Sequence, residues 1–153
     1  GNEASALRQR ITDDGLNNVK MKGFVEKKYI PFILSRSSVN LLNYSQAEYN
    51  WTRGNSSNKL FEYMASGKPV ISTVKMGYSI IGKYNCGFEL DEHTPETLAA
   101  AIRRVKNLPA EQYDMLCCNA RDGAKDFDYH ALSGRLMSVI ERLTVKEGTR
   151  SKC

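Results

Sequence analysis

Much that a specialised chain would carry is scarce in this one. Its 153 residues include four cysteines, four prolines, two histidines and a single tryptophan. No C-x-x-C pair occurs and no His stands at ligand spacing, so no metal site is expected. Cysteine is too sparse for a stapled scaffold, and at this length about 70% of the unfolded chain's surface can be buried without one. Cys86, Cys117, Cys118 and Cys153 are read instead as reduced thiols that pack as small apolar residues. No apolar run approaches the roughly 18 residues of a membrane span, so no integral membrane segment is expected. Charge of one sign is lacking too: 22 Lys and Arg stand against 17 Asp and Glu, a net +5. The basic residues are scattered, with clusters at Lys27-Lys28, Arg103-Arg104 and Arg150 to Lys152, which does not build a nucleic-acid face. Gly1-Asn2-Glu3-Ala4 shows no charged-then-apolar leader pattern, so the expected location is cytoplasmic. With 41% hydrophobic and 25% charged residues, what is present is an ordinary globular composition.

Hydrophobic periodicity organises that composition. Ala4, Leu7 and Ile11 recur at helical spacing, with Asn2 as N-cap and Gly15 as terminator, and predict a helix over 3–14. Val19 to Lys22 alternates apolar and basic residues and reads as a short strand, and Val39 to Asn43 as a more buried one. Between them 27–36 is helical, with Pro31 confined to the first turn. A helix over 57–66 is closed by Gly67 and Pro69, and Val70 to Thr73 returns as a strand. A short helix around 76–83, a strand over 87–90, and helices over 95–106, 110–124 and 129–144 complete the order. Strands alternating with helices imply an α/β layered parallel sheet. Three or four strands make a small sheet, and the first βαβ part of a larger domain is expected upstream.

Ligands of open parallel sheets bind beyond the carboxyl ends of the strands. The strand at 39–43 leads into a polar segment of 14 residues, Tyr44 to Ser57, where about 2–6 is usual for such a connection. It holds the single Trp51, then Arg53, Gly54, Asn55 and Ser56 before the next helix. A helix start presents unpaired N–H groups and a partial positive charge, the requirement for holding phosphate. Lys59 in the first turn opposes the helix dipole unless an anion is bound. A lysine reaching into water and a lysine facing phosphate both satisfy this position. Asn58, Lys59 and Glu62 share one helix face, with Leu60, Phe61, Met64 and Ala65 expected in the core. Glu62 can pair with Lys59 on the surface or accept hydrogen bonds from two vicinal hydroxyls, as on a ribose.

The stretch Asn58-Lys59-Leu60-Phe61-Glu62-Tyr63-Met64-Ala65-Ser66-Gly67-Lys68-Pro69-Val70-Ile71 closely resembles the nucleotide-sugar-binding signature of the group 1 (family 4) retaining glycosyltransferases, which have the GT-B fold. Gly15 to Val25 resembles the family's "gl-x-nV-x-f-x-G-f-v" segment, and Tyr84 to Phe88 followed by Thr94 to Leu98 its usual continuation. The resemblance implies a Rossmann-like three-layer parallel sheet, the C-terminal half of a GT-B fold without its first strands. Residues 1–145 would be this donor-binding domain and 146–153 a basic tail. It implies a nucleotide-diphospho-sugar donor, UDP-linked, and a glycan or lipid-carrier acceptor reached through an N-terminal domain, in bacterial polysaccharide assembly. The complete enzyme would then be cytoplasmic or peripheral to the inner membrane face.

Carried over by position, the second glutamate of the family motif falls on Glu62, and the resemblance implies that Glu62 would hydrogen-bond the ribose hydroxyls. The first falls on Gly54, a departure for which Arg53 or Asn55 would have to substitute. Asn55, Ser56, Ser57, Asn58 and Lys59 match the segment that holds the diphosphate and sugar, and Gly23, Phe24 and Val25 the turn that lines the base. The family's diphosphate-neutralising Arg and Lys and its acceptor groups lie outside the matched residues, so no catalytic residue is assigned. His93 and His130 are read as surface residues. No cofactor is implied, and the chain alone is expected to transfer no sugar. Two other readings share the architecture: a GT-B nucleotide-sugar epimerase, and a non-catalytic anion-binding or interaction domain.

Overall fold

The computed structural model describes residues 2–44 and 57–150, with backbone alone for 145–150. The chain divides into two compact units, Gly1–Ile30 and Pro31–Cys153. The first unit opens on helix α1 (Ala4–Asp13). It ends as the glycine predicted: Gly15 adopts φ +63°, its N–H reaches the Thr12 carbonyl, and the Leu16 N–H reaches that of Ile11 at 2.9 Å. Glu3 rather than Asn2 is the N-cap, and no side chain caps it. The strand expected at 19–22 does not form. Alternation supplies one apolar face, but a strand also needs a neighbour for its N–H and C=O groups, and the sheet takes its strands from the other unit. A 3-10 turn, Lys27–Tyr29, closes this unit.

Helix α2 (Ile30–Ser35) comes next, with Pro31 in its first turn as expected. The strands are β1 (Asn40–Leu42), β2 (Val70–Ser72) and β3 (Gly87–Glu89), paired in parallel in the order β1-β2-β3 with Leu41, Ile71 and Phe88 in register. Between and after them lie α3 (Asn58–Ala65), α4 (Ile80–Tyr84), α5 (Pro95–Lys106), α6 (Ala110–Lys125) and α7 (Tyr129–Arg150). Helix α4 starts later than the expected 76: Met76 is a core residue, and the Ser79 hydroxyl caps the helix by accepting from the Gly82 N–H at 2.7 Å.

The alternation of strand side chains puts helices on both faces. Leu42 and Val70 pack with Leu60 and Met64 of α3, Ile80 and Ile81 of α4 and Ala120 of α6. Ile71 packs on the opposite face with Ala101 and Val105 of α5. The result is a three-layer, Rossmann-like α/β sandwich. Phe61 stacks on Phe127 with ring centroids 4.6 Å apart. Ala65, expected in the core, is exposed, because the buried stripe of α3 runs through Leu60 and Met64. Cys86 is fully buried, as the thiol reading expected, whereas Cys118 is exposed.

Candidate functional site

Parallel pairing sends the three strands the same way, so their exits at Asn43, Thr73 and Leu90 share one edge of the sheet. Above that edge the Asn43 Oδ1 and His93 Nε2 meet at 3.2 Å, joining the chain just past β1 to the segment beyond β3. His93 is exposed, as the sequence suggested, yet it belongs to this edge. No local signal could have shown that, since its partner lies fifty residues away.

Helix α3 is tied to β1 at both ends. At the far end, buried Asn40 donates from Nδ2 to Ser66 Oγ at 3.0 Å and accepts from the Ser37 hydroxyl at 2.9 Å. At the carboxyl edge, the Tyr44 hydroxyl donates to Ser57 Oγ at 3.0 Å. Ser57 is the N-cap, and its Oγ also accepts from the Lys59 N–H at 3.2 Å. A serine in this role satisfies one of the donors that a helix start leaves unpaired. Tyr44 itself is held by Thr73, whose hydroxyl accepts from the Tyr44 N–H at 2.9 Å and donates to the Tyr44 carbonyl at 3.0 Å.

The electrostatics of this helix start are one-sided. Its first turn contains no acidic residue, and Lys59 adds a full charge to the positive end of the helix dipole. The Lys59 ammonium lies over the Tyr44 ring, 5.9 Å from its centroid. The surface pair between Lys59 and Glu62 is not formed, and Glu62 is exposed with no basic partner among the described residues. Behind this face, burial pushes the Tyr63 hydroxyl up in pKa, helped by Tyr44 and Glu62 close by.

Ser57, Asn58, Lys59 and Glu62 are therefore brought together on one helix start. Gly23, Phe24 and Val25 belong to the first unit: Gly23 has φ +73°, Phe24 is 91% exposed and Val25 is half-buried. Arg53, Asn55 and Ser56 lie outside the described residues, as do Trp51 and Gly54. The sequence reading missed Thr73 and Asn43 as parts of this edge, and took Tyr44 only as the first residue of the connecting segment. Two concavities, one of about 390 Å³ lined by Phe88, Leu90 and Arg104 at the exit of β3 and one of about 670 Å³ beside Val39 and Tyr113, contain none of the expected site residues. Among the described residues no group of three or more His, Cys, Asp or Glu is gathered as a metal would need, and no helix is long and apolar enough to cross a membrane.

A family model described as "Glycosyl transferases group 1" matches residues 1–107, from α1 to the end of α5. The chain belongs to the group 1 glycosyltransferases. Its α/β arrangement is that of a GT-B glycosyltransferase domain. Among solved structures it is similar to sucrose-phosphate synthase from Thermosynechococcus elongatus, with a TM-score of 0.72 and 21% identity over 95% of this chain. That likeness is one of fold, and the chain spans 35% of the length of that structure. No curated protein matches it. The matched region of this group 1 glycosyltransferase chain includes the whole α3 start, with Ser57, Lys59 and Glu62.

Proposed function

We propose that the chain is the donor-binding part of a retaining glycosyltransferase that uses a nucleotide-diphospho-sugar, UDP-linked, and passes the sugar to a glycan or lipid-linked acceptor in polysaccharide assembly. The observation that carries this reading is the start of α3: a serine-capped helix of the family signature, free of acidic residues in its first turn, with Lys59 on it and Glu62 exposed one turn later. In this reading the diphosphate sits at the N–H groups of the helix start, with Lys59 and the sequence neighbours Arg53, Asn55 and Ser56 contributing. Glu62 accepts hydrogen bonds from the ribose hydroxyls, one turn away from the phosphates it would repel. For Gly23, Phe24 and Val25 as the base-lining turn, the support is the family pattern alone.

When the glycosidic bond to the donor breaks, negative charge grows on the departing diphosphate. Donors fixed in advance at the helix start stabilise that charge more in the transition state than in the ground state, which is how such a site accelerates transfer. No residue of the chain is assigned the acid or base step.

Titrating the ¹⁵N-labelled chain with UDP, GDP, ADP and pyrophosphate, beside Glu62→Ala, tests the reading. The expected outcome is UDP-selective shifts at 57–62, with affinity about tenfold lower in Glu62→Ala, as for the loss of one hydrogen-bonding partner of the ribose. Equal response to pyrophosphate and UDP would instead support an anion-binding domain without nucleotide selectivity.

A further inference from the structure

We propose that Thr73 is a positioning residue which, through Tyr44 and Ser57, sets where α3 begins; insofar as this concerns a ligand, it rests on the donor-site reading above. Thr73 is 1% exposed and stands one residue past the end of β2. Its backbone N–H donates to the Leu42 carbonyl at 3.1 Å, which is the last bond of the β1–β2 ladder type. Its hydroxyl then extends the pairing beyond the ladder. One oxygen accepts from the Tyr44 N–H at 2.9 Å and donates to the Tyr44 carbonyl at 3.0 Å, so both backbone groups of a single residue are gripped by one side chain. A hydroxyl has one proton and two lone pairs, which is the complement this double contact requires.

The consequence is directional. Holding Tyr44 at N–H and C=O fixes its backbone as the chain leaves β1, and so fixes the direction of its side chain. The phenol reaches Ser57 Oγ, 13 residues later, at 3.0 Å. Tyr44 follows β1 and Ser57 caps α3, so their hydroxyl bond ties the exit of that strand to the start of that helix. The same Ser57 oxygen holds the Lys59 N–H. A relay therefore runs from a buried threonine on β2 to the first turn of the helix that the donor-site reading uses, and every link is a hydrogen bond within 3.2 Å. Valine has threonine's shape without its hydroxyl, so Thr73→Val cuts the relay at its root while filling the same space. Tyr44→Phe cuts it one link later and leaves the grip of Thr73 intact.

Amide exchange and ¹⁵N spectra of the unliganded chain, followed by UDP titration, distinguish these links. In Thr73→Val the residue 44 amide is expected to exchange about tenfold faster, the factor that one lost hydrogen bond carries, and the Lys59 amide resonance to move. Tyr44→Phe should move the Lys59 resonance and leave exchange at residue 44 unchanged. Thr73→Ser, which retains the oxygen, should restore both. Unperturbed amides in α5 would show that the sheet is intact in each variant. An unmoved Lys59 resonance in Thr73→Val, or a Thr73→Ser variant no better than Thr73→Val, would overturn the relay. UDP affinity is expected to fall about tenfold in both relay-breaking variants; equal affinity with a displaced Lys59 amide would overturn its service to the ligand. A wild-type chain that ignores nucleotide while the amide pattern holds would remove the donor site and leave the relay established.

Discussion

Among the described residues Glu89 has a buried side-chain oxygen, Oε1, with no hydrogen-bond partner. It lies at the end of β3, and the residue as a whole is half-buried. Burial pushes its carboxyl pKa up, while Ser79, the Met76 backbone and Lys75 pull the other way. A carboxyl whose pKa rises on folding binds its proton more tightly in the fold. Its favourable contribution is fully present below the unfolded value of about 4.3 and is lost as pH climbs through the raised folded value. At neutral pH Glu89→Gln is expected to be the more stable, by less than the roughly 1 kcal/mol or more of a fully buried unpaired group because the side chain is half solvated. Denaturant melts at two pH values check this: the difference between variant and wild type should shrink towards zero near pH 4, and an advantage independent of pH would refute the assignment to charge. Gly87, by contrast, is a residue suited to one place. A Cβ there would lie 1.8 Å from the Val70 carbonyl oxygen, in backbone that cannot swing aside as a side chain can. Gly87→Ala should therefore cost about 3 kcal/mol or more, read as a fall in the denaturation midpoint, since the β2–β3 ladder must separate to admit one methyl.

At the scale of elements, what was legible in the sequence is what local chemistry decides. Helix α5 was expected over 95–106 and is found there. It forms with a reciprocal cap: Thr94 Oγ1 accepts from the Thr97 N–H and Thr97 Oγ1 from the Thr94 N–H, each at 3.2 Å. Thr94→Ala should destabilise the chain by about 1 kcal/mol while Thr94→Ser changes little. Comparing the two by thermal unfolding separates loss of the cap from loss of the methyl group. The end of α3 at Gly67, φ +66°, was equally local. The strand expected at 19–22 shows the limit, for alternation is a property of the segment and pairing a property of its neighbours. The α3 start was recognised from the family signature, and its residues came together because they are consecutive. The threonine behind it, the Tyr44 bond to Ser57 and the meeting of Asn43 with His93 join residues 13 to 50 positions apart, and no spacing rule carries that information.

For the whole molecule the decisive contrast is between a unit with a core and one without. Every residue buried in the described structure belongs to Pro31–Cys153, where β2 has a neighbour on each side and Val70, Ile71 and Ser72 are all fully covered. In Gly1–Ile30 no described residue is buried, and Leu7 on the apolar face of α1 remains 48% exposed. Helix α1 has ten residues, below the roughly 12–15 at which an isolated helix is even marginal in water. Its stability has to come from packing, and within its own unit that packing is shallow. Native-state amide exchange across a denaturant series should accordingly resolve two classes. The amides of β2 and the middle of α3 should open only with global unfolding, at the full free energy of the domain and with a matching denaturant slope. Amides of α1 should open at a small fraction of that energy with a shallow slope, because little surface is exposed when they do. Convergence of α1 and β2 on one isotherm would mean instead that the thirty N-terminal residues fold and unfold with the sheet as a single cooperative body.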